Sequence, residues 1–327
     1  MRYAASEKLE IIRTVEQSSL GVRRTLEQIS IPRSTFYNWY DRYVTDGFDG
    51  LEDLTPSPGP VWNKVPEEMA EQLVALALAE PDLSSRELAV RFTEQNGYYL
   101  SESSVYRILK SRDLMTAPAF TTMKASDRFQ NPTTAVNQLW QTDFTYLKII
   151  GWGWYYLSTV MDDFSRSIIT WRLCTTMSAR DVAETLRDAL EATGLDRGSV
   201  RHRPRLLSDN GPCYVSSELK DWLTDNKIPH TRGTPYHPQT QGKIERWHRT
   251  LKDRILLEHH YLPGDLERQL YDFMTHYNTR RYHESLNNLT PECVFTGQGS
   301  AVLKQRHDIK LKTLALRKKL HAERQAA

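Results

Sequence analysis

The sequence predicts a mixed α/β core of five strands and packed helices, preceded by two small all-α units. Three observations carry this reading. Apolar residues recur at spacings of three and four through residues 6–110. Residues 139–173 then switch to β-rich text, and strands alternate with helices through residue 258. At 327 residues the chain is also too long for one ordinary core.

The first unit opens with Ser6 as a helix cap before Leu9, Ile12 and Val15. A second helix is expected over 20–29. Ser34 is expected to cap a third, whose core face is Phe36, Trp39, Tyr40 and Tyr43. This is a helix-turn-helix pattern, with Arg33, Thr35, Asn38 and Arg42 off the core face as candidate DNA contacts. Residues 46–66 are rich in Gly and Pro and read as a linker. A second unit repeats the pattern. Residues 67–79 are periodic, Ser84 and Glu87 form a capping box, and Ser101 opens a last helix. That helix places Val105, Ile108 and Leu109 inside, with Ser103, Tyr106, Arg107 and Lys110 outside as candidate DNA contacts.

The core begins with strands over 139–149 and 154–161, joined by a turn at Gly151-Trp152-Gly153, and a third over 167–173. A helix over 178–192, a short buried strand over 205–207, a helix over 217–226, a strand over 230–233 and a long helix over 239–258 follow. This is the element order of an RNase H-like α/β domain. The expected organisation is a helix-turn-helix domain over 1–50, a linker over 51–65 and a second helix-turn-helix domain over 66–115. A linker over 116–136, an RNase H-like core over 137–297 and a basic helical tail over 298–327 complete it.

Composition excludes several classes. With 39% hydrophobic and 26% charged residues the chain is a globular type. No apolar run approaches the roughly 18 residues of a membrane span, and the N-terminus lacks signal-peptide text. A cytoplasmic location is expected. Net charge is only +2, but residues 300–327 carry eight Lys/Arg against Asp308 and Glu323. Lys243, Arg246, Arg249 and Lys252 form a second basic cluster on the last core helix. Either cluster suits DNA phosphates, and either also suits a solvated helix face. Cys174, Cys213 and Cys293 are too scattered for a zinc site or a disulfide framework and read as buried reduced thiols.

Among 41 acidic residues, three stand out by context. Asp143 lies in a strand of apolar and aromatic neighbours, Asp209 follows a strand before Gly211-Pro212, and Glu245 sits on the last core helix. Carboxylates converging from three elements repel unless cations neutralise them, and magnesium accepts such oxygen donors. Asp162, Asp163 and Glu284 lie near similar text, and Asp163 reads as an ion-pair or turn residue near Arg166.

Residues 143–146 (DFTY), 163–166 (DFSR), 208–211 (SDNG) and 236–246 (YHPQTQGKIER) resemble the core of integrase-type insertion-sequence transposases, relatives of retroviral integrases. Residues 277–286 and 290–292 are similar too, and 35 residues separate Asp209 from Glu245, as in that family. The resemblance implies that Asp143, Asp209 and Glu245 hold two magnesium or manganese ions per site. It also implies that the protein hydrolyses a phosphodiester at an element's end and joins the freed 3′-hydroxyl to target DNA. Tyr236, His237 and Gln239, just before the last core helix, would position DNA or simply pack their loop. Double-stranded DNA and a homo-oligomer of at least two copies are the implied partners, in a bacterial, nucleoid-associated setting. The chain departs from retroviral integrases in lacking the cysteines of their N-terminal zinc domain. The alternatives are an RNase H-like nuclease that does not join DNA and a DNA-binding regulator without catalysis.

Overall fold

The computed structural model describes residues 3–18, 20–52, 62–114, 133–197, 202–233, 242–257 and 260–326. The chain divides into two compact units, Met1–Lys64 and Val65–Ala327.

The first unit contains α1 (Ala5–Gln17), α2 (Val22–Gln28) and α3 (Arg33–Asp46), followed by a 3-10 turn over Asp49–Leu51. Ile12, Val15, Leu26, Ile31, Phe36 and Trp39 form its core. The capping residues differ from those expected. Ser6 and Ser34 both lie inside their helices, which start after Ala4 and Pro32. At α1 the Glu7 carboxylate accepts the Ala4 N–H at 2.7 Å, so no hydroxyl is needed. At α3, proline ahead of the first turn has its φ of −61° fixed by its ring. Leu51, expected to start the linker, is fully buried in this core, and Lys8 Nζ donates to its carbonyl at 2.9 Å.

The second unit begins with α4 (Glu67–Ala79), α5 (Ser85–Asn96) and α6 (Glu102–Ser111), packed on Leu73, Leu88, Phe92, Leu100, Val105 and Leu109. The Ser84–Glu87 capping box forms, Ser101 caps α6, and Gly97 closes α5 at a φ of +60° that favours glycine.

The sheet comprises β1 (Leu139–Ile149), β2 (Gly153–Asp162), β3 (Ile168–Cys174), β4 (Arg205–Ser208) and β5 (His230–Arg232), in the order β3-β2-β1-β4-β5. β1, β2 and β3 pair antiparallel, and β4 and β5 join parallel to β1. One face packs on α7 (Ala179–Thr193), α8 (Pro212–Val215) and α9 (Ser217–Asp225) through Trp140, Val160, Val182, Leu186 and Leu206. The other packs on α10 (Gly242–Ile255) and α11 (Pro263–Thr279) through Leu147, Leu157, Met161, Trp247 and Phe273. The two faces of β1 thus meet different cores, Trp140 on one and Leu147 and Ile149 on the other, while Tyr146 and Lys148 near its end stay exposed. β4 pairs with β1 only at Leu139–Gln141, so β1 runs on beside an edge that no strand occupies among the described residues.

After α12 (Pro291–Phe295) the basic tail forms one helix, α13 (Gly299–Ala326), that packs back on the α4–α6 unit. Arg317, 3% exposed, donates from Nε to the Tyr98 hydroxyl at 2.8 Å and from Nη2 to the Tyr99 carbonyl at 2.7 Å. Thr313 Oγ1 accepts the Tyr99 N–H at 2.9 Å. Glu94 of α5 accepts from Arg306 Nε at 2.8 Å and from the Tyr282 hydroxyl at 2.6 Å, while Arg86 donates to Asn288 at 2.6 Å. Arg306 and Arg317 of the tail are therefore committed to protein contacts.

His283 lies in this seam, its ring centroid 5.1 Å from that of Tyr277. Burial, with Arg281, Arg166 and Arg86 nearby, pushes its pKa from 6.5 down to about 3. A base whose folded pKa is depressed stabilises the fold above its unfolded value and loses that contribution as pH falls. From 6.5 downward the loss approaches about 1.4 kcal/mol per pH unit. Urea unfolding between neutral pH and pH 5 is expected to show a steeper loss for wild type than for His283→Asn. Equal slopes would contradict this.

Candidate active site

β1 and β4 bring the first two carboxylates together. Gln141 pairs with Leu207 in the parallel register, and two further steps place Asp143 beside Asp209. Asp143 Oδ1 accepts the Phe144 N–H at 2.8 Å, and Asp209 Oδ1 accepts the Gly211 N–H at 2.9 Å. Burial raises the Asp209 pKa, the Gly211 N–H opposes this, and the charge of Asp143 raises it further. Asn210 braces the loop by donating to the Gly233 carbonyl at 2.8 Å.

Gly211 is needed for space rather than for backbone angle. Its φ is −58°, but a Cβ here would lie 3.0 Å from Asp209 Oδ1. Gly211→Ala is expected to displace that carboxylate and to lower DNA-processing activity about tenfold, since small misplacements at a reacting centre are costly. Its melting temperature should change little, so a large drop in stability without loss of rate would refute this.

The third carboxylate is presented by α10. A buried network seats this helix. Gln141 Oε1 accepts the Ile244 N–H at 3.2 Å, and Gln141 Nε2 donates to Asp163 Oδ1 at 2.7 Å. Lys243 Nζ lies 2.6 Å from Asp163 Oδ2, with side-chain exposures of 10% and 4%. Asp163 is thus an ion-pair residue, with Lys243 in this bridge. Lys243, expected among the phosphate-gripping cations, is half-buried and paired with Asp163. Glu245 is exposed in the first turn of α10, and one turn later His248 Nδ1 lies 3.4 Å from Asp143 Oδ2. Among the described residues no three His, Cys, Asp or Glu side chains gather closely enough to hold a metal ion. The structure therefore pairs Asp143 with Asp209 and places Glu245 one turn from the His248 contact, without closing the three into one cluster. A divalent cation fits this donor set, because the charge that Asp143 sets beside Asp209 is relieved by a hard positive charge.

His248 was not among the expected site residues. Its signal was present in the sequence: it follows Glu245 by three positions and so shares its helix face. Arg246 and Arg249 are exposed on α10, and Lys252 is half-buried. Tyr236, His237 and Gln239 lie outside the described residues. In the helical units Arg33, Asn38, Ser103, Tyr106, Arg107 and Lys110 are exposed and Thr35 is half-buried. Arg42 donates to the Glu52 carbonyl, which ties it to its own unit. Cys174 and Cys213 are buried thiols with pKa pushed up by burial, to about 12 and about 11, while Cys293 is only half-buried. No helix among the described residues is long and apolar enough to cross a membrane.

Known families match the same segments. The integrase core domain matches residues 133–238, and a second integrase core domain family matches residues 226–291. Homeodomain-like domains match residues 2–52 and 35–109. The chain is 28% identical over 165 residues to the transposase for insertion sequence element IS904 of Lactococcus lactis, covering 49% of this chain and 61% of that protein. It is 25% identical over 309 residues to the transposase for transposon Tn552 of Staphylococcus aureus, covering 86% of this chain and 62% of that protein. The HTLV-2 integrase catalytic core domain in complex with magnesium matches at 22% identity, over 49% of this chain and 97% of that one, with a TM-score of 0.37. The chain spans about three fifths of the length of the two transposases, and 13% of a mouse intracisternal A-particle Pol-related polyprotein that it also matches. With helix-turn-helix units ahead of a five-stranded sheet, the chain carries segments that match integrase core and homeodomain-like domains, and over them it is similar to bacterial transposases.

Proposed function

We propose that this protein cleaves the ends of a mobile DNA element and joins the freed 3′-hydroxyl to target DNA. The observation that carries this is the pairing of Asp143 with Asp209 under a helix that presents Glu245. Asp143, Asp209 and Glu245 would hold magnesium or manganese, two ions per site. Bound there, such ions polarise phosphodiester oxygens and stabilise both the attacking and the leaving oxygen. The protein's own groups do the rest. Gly211 N–H and Phe144 N–H orient the two aspartates, and the Gln141–Asp163–Lys243 network fixes the start of α10. Arg246, Arg249 and Lys252 supply positive charge for phosphates, and the exposed side chains of α3 and α6 supply contacts to base edges. Two ends must be held together before joining, which calls for at least two copies of the chain.

The test is a strand-transfer assay with the full chain, magnesium and labelled element-end duplexes. Expected are shortened ends and longer products joined to target DNA. Hydrolysis without joined products would favour a plain nuclease. DNA binding without either product would leave only a regulator.

A further inference from the structure

The far end of the β1–β2 hairpin carries an aromatic pair that the candidate chemistry does not use. Tyr146 of β1 is 56% exposed and Trp154 of β2 is 51% exposed, with ring centroids 5.4 Å apart, edge to face. Alternation puts Tyr146, Lys148 and Trp154 on the face opposite Leu147 and Ile149. On that face the helices pack against Trp140, Phe144 and Val160, and the aromatic pair lies outside their cluster.

Each ring carries an ammonium group. Lys252 Nζ lies 4.2 Å from the Tyr146 centroid and Lys148 Nζ lies 5.8 Å from that of Trp154. Neither lysine is ion-paired with a carboxylate among the described residues. Lys252 comes from α10, on the other side of the sheet, and reaches Tyr146 where β4 no longer flanks β1. The patch adjoins the candidate active site at both of its elements. Tyr146 is three residues from Asp143, about 10 Å along the strand and on the opposite face of β1, so a strand on this patch would reach Asp143 past the edge that β4 leaves open. Lys252 is two helical turns from Glu245 on the same face.

Exposed rings interleaved with uncommitted ammonium groups match the alternating bases and phosphates of an unpaired strand. A duplex hides its base faces and gives such rings nothing to stack on. A second copy of this chain is disfavoured as occupant, because a two-fold contact would bring this cationic patch against the same cationic patch. We propose that Tyr146, Lys148, Trp154 and Lys252 form a platform for an unpaired single-stranded DNA segment beside the carboxylates. This rests on the DNA-processing function proposed above and adds to it that the DNA is frayed or tailed next to the cleaved bond.

The test uses the full chain and fluorescence anisotropy with two probes, a blunt duplex and the same duplex bearing a short oligothymidine tail. Wild type is expected to prefer the tailed probe by about tenfold, the scale of one stacked base. Tyr146→Ala with Trp154→Ala should abolish that preference, and Tyr146→Phe with Trp154→Phe should retain it. Circular dichroism checks that both variants fold. Blunt binding by wild type with no preference for the tail would overturn the platform alone. An undiminished preference in the alanine pair would also overturn it. Wild type that binds neither probe would overturn the DNA-processing reading as well. A switch from dimer to monomer in the alanine pair, with the tail preference kept, would assign the surface to self-association instead.

Discussion

Asp209→Asn is expected to lower DNA cleavage and joining by about three orders of magnitude, equivalent to about 4 kcal/mol of barrier, while making the metal-free protein more stable. The amide keeps the shape of the side chain and can still accept the Gly211 N–H, so the loop should hold. What disappears is a charge that burial and Asp143 already disfavour. A carboxyl whose folded pKa is raised contributes stability at low pH and loses it as pH rises through that value, so at neutral pH the wild type carries the full cost. Removing it should raise the melting temperature of the chelated protein. Magnesium should raise the melting temperature of wild type and leave that of the variant unmoved. An Asp209→Asn protein that melts lower in chelator, or that still cleaves, would contradict the assignment.

Lys243→Met is expected to destabilise the second unit by about 3–5 kcal/mol, because it leaves the buried Asp163 carboxylate without its cation. For a domain of this size that corresponds to roughly 10 °C in melting temperature. The damage should extend to activity. Asp163 holds Gln141, Gln141 receives the first amides of α10 through Ile244, and Glu245 is the next residue. Asp163→Asn together with Lys243→Met should recover part of the stability, since the uncompensated charge is then gone. Were Lys243 a phosphate contact, the single variant would keep its melting temperature and bind DNA with a shallower salt dependence.

Much of the fold was legible because its signals are local. β1 forms over the residues expected of it, and the Ser84–Glu87 box and Ser101 cap act as their spacing suggests. The misread caps at Ser6 and Ser34 are local too, but there another group, Glu7 or Pro32, served the helix end first. α11 was not anticipated, although Leu266, Leu270, Phe273, Met274 and Tyr277 follow helical spacing. What sequence could not supply were partners distant along the chain. Lys243 reads as a surface cation until Asp163, 80 residues earlier, is seen beside it. Arg306 and Arg317 look like tail charge until Glu94 and Tyr98 are found more than 200 residues upstream. The pairing of Asp143 with Asp209 became visible only through the β1–β4 register.

The seam around Glu94 turns α6 into a gauge. Glu94 receives Tyr282 and Arg306 at once, and Arg86 grips Asn288, so α4–α6 are fastened to the chain that leaves α11. These contacts hold α5, and α6 packed on it, against the core. DNA seated on α6 would therefore offer the carboxylates one phosphate at one fixed interval, as a mark on a ruler. Inserting about five base pairs between the recognised sequence and the cut would carry that phosphate to the far side of the duplex, and about ten would bring it round again one turn further away.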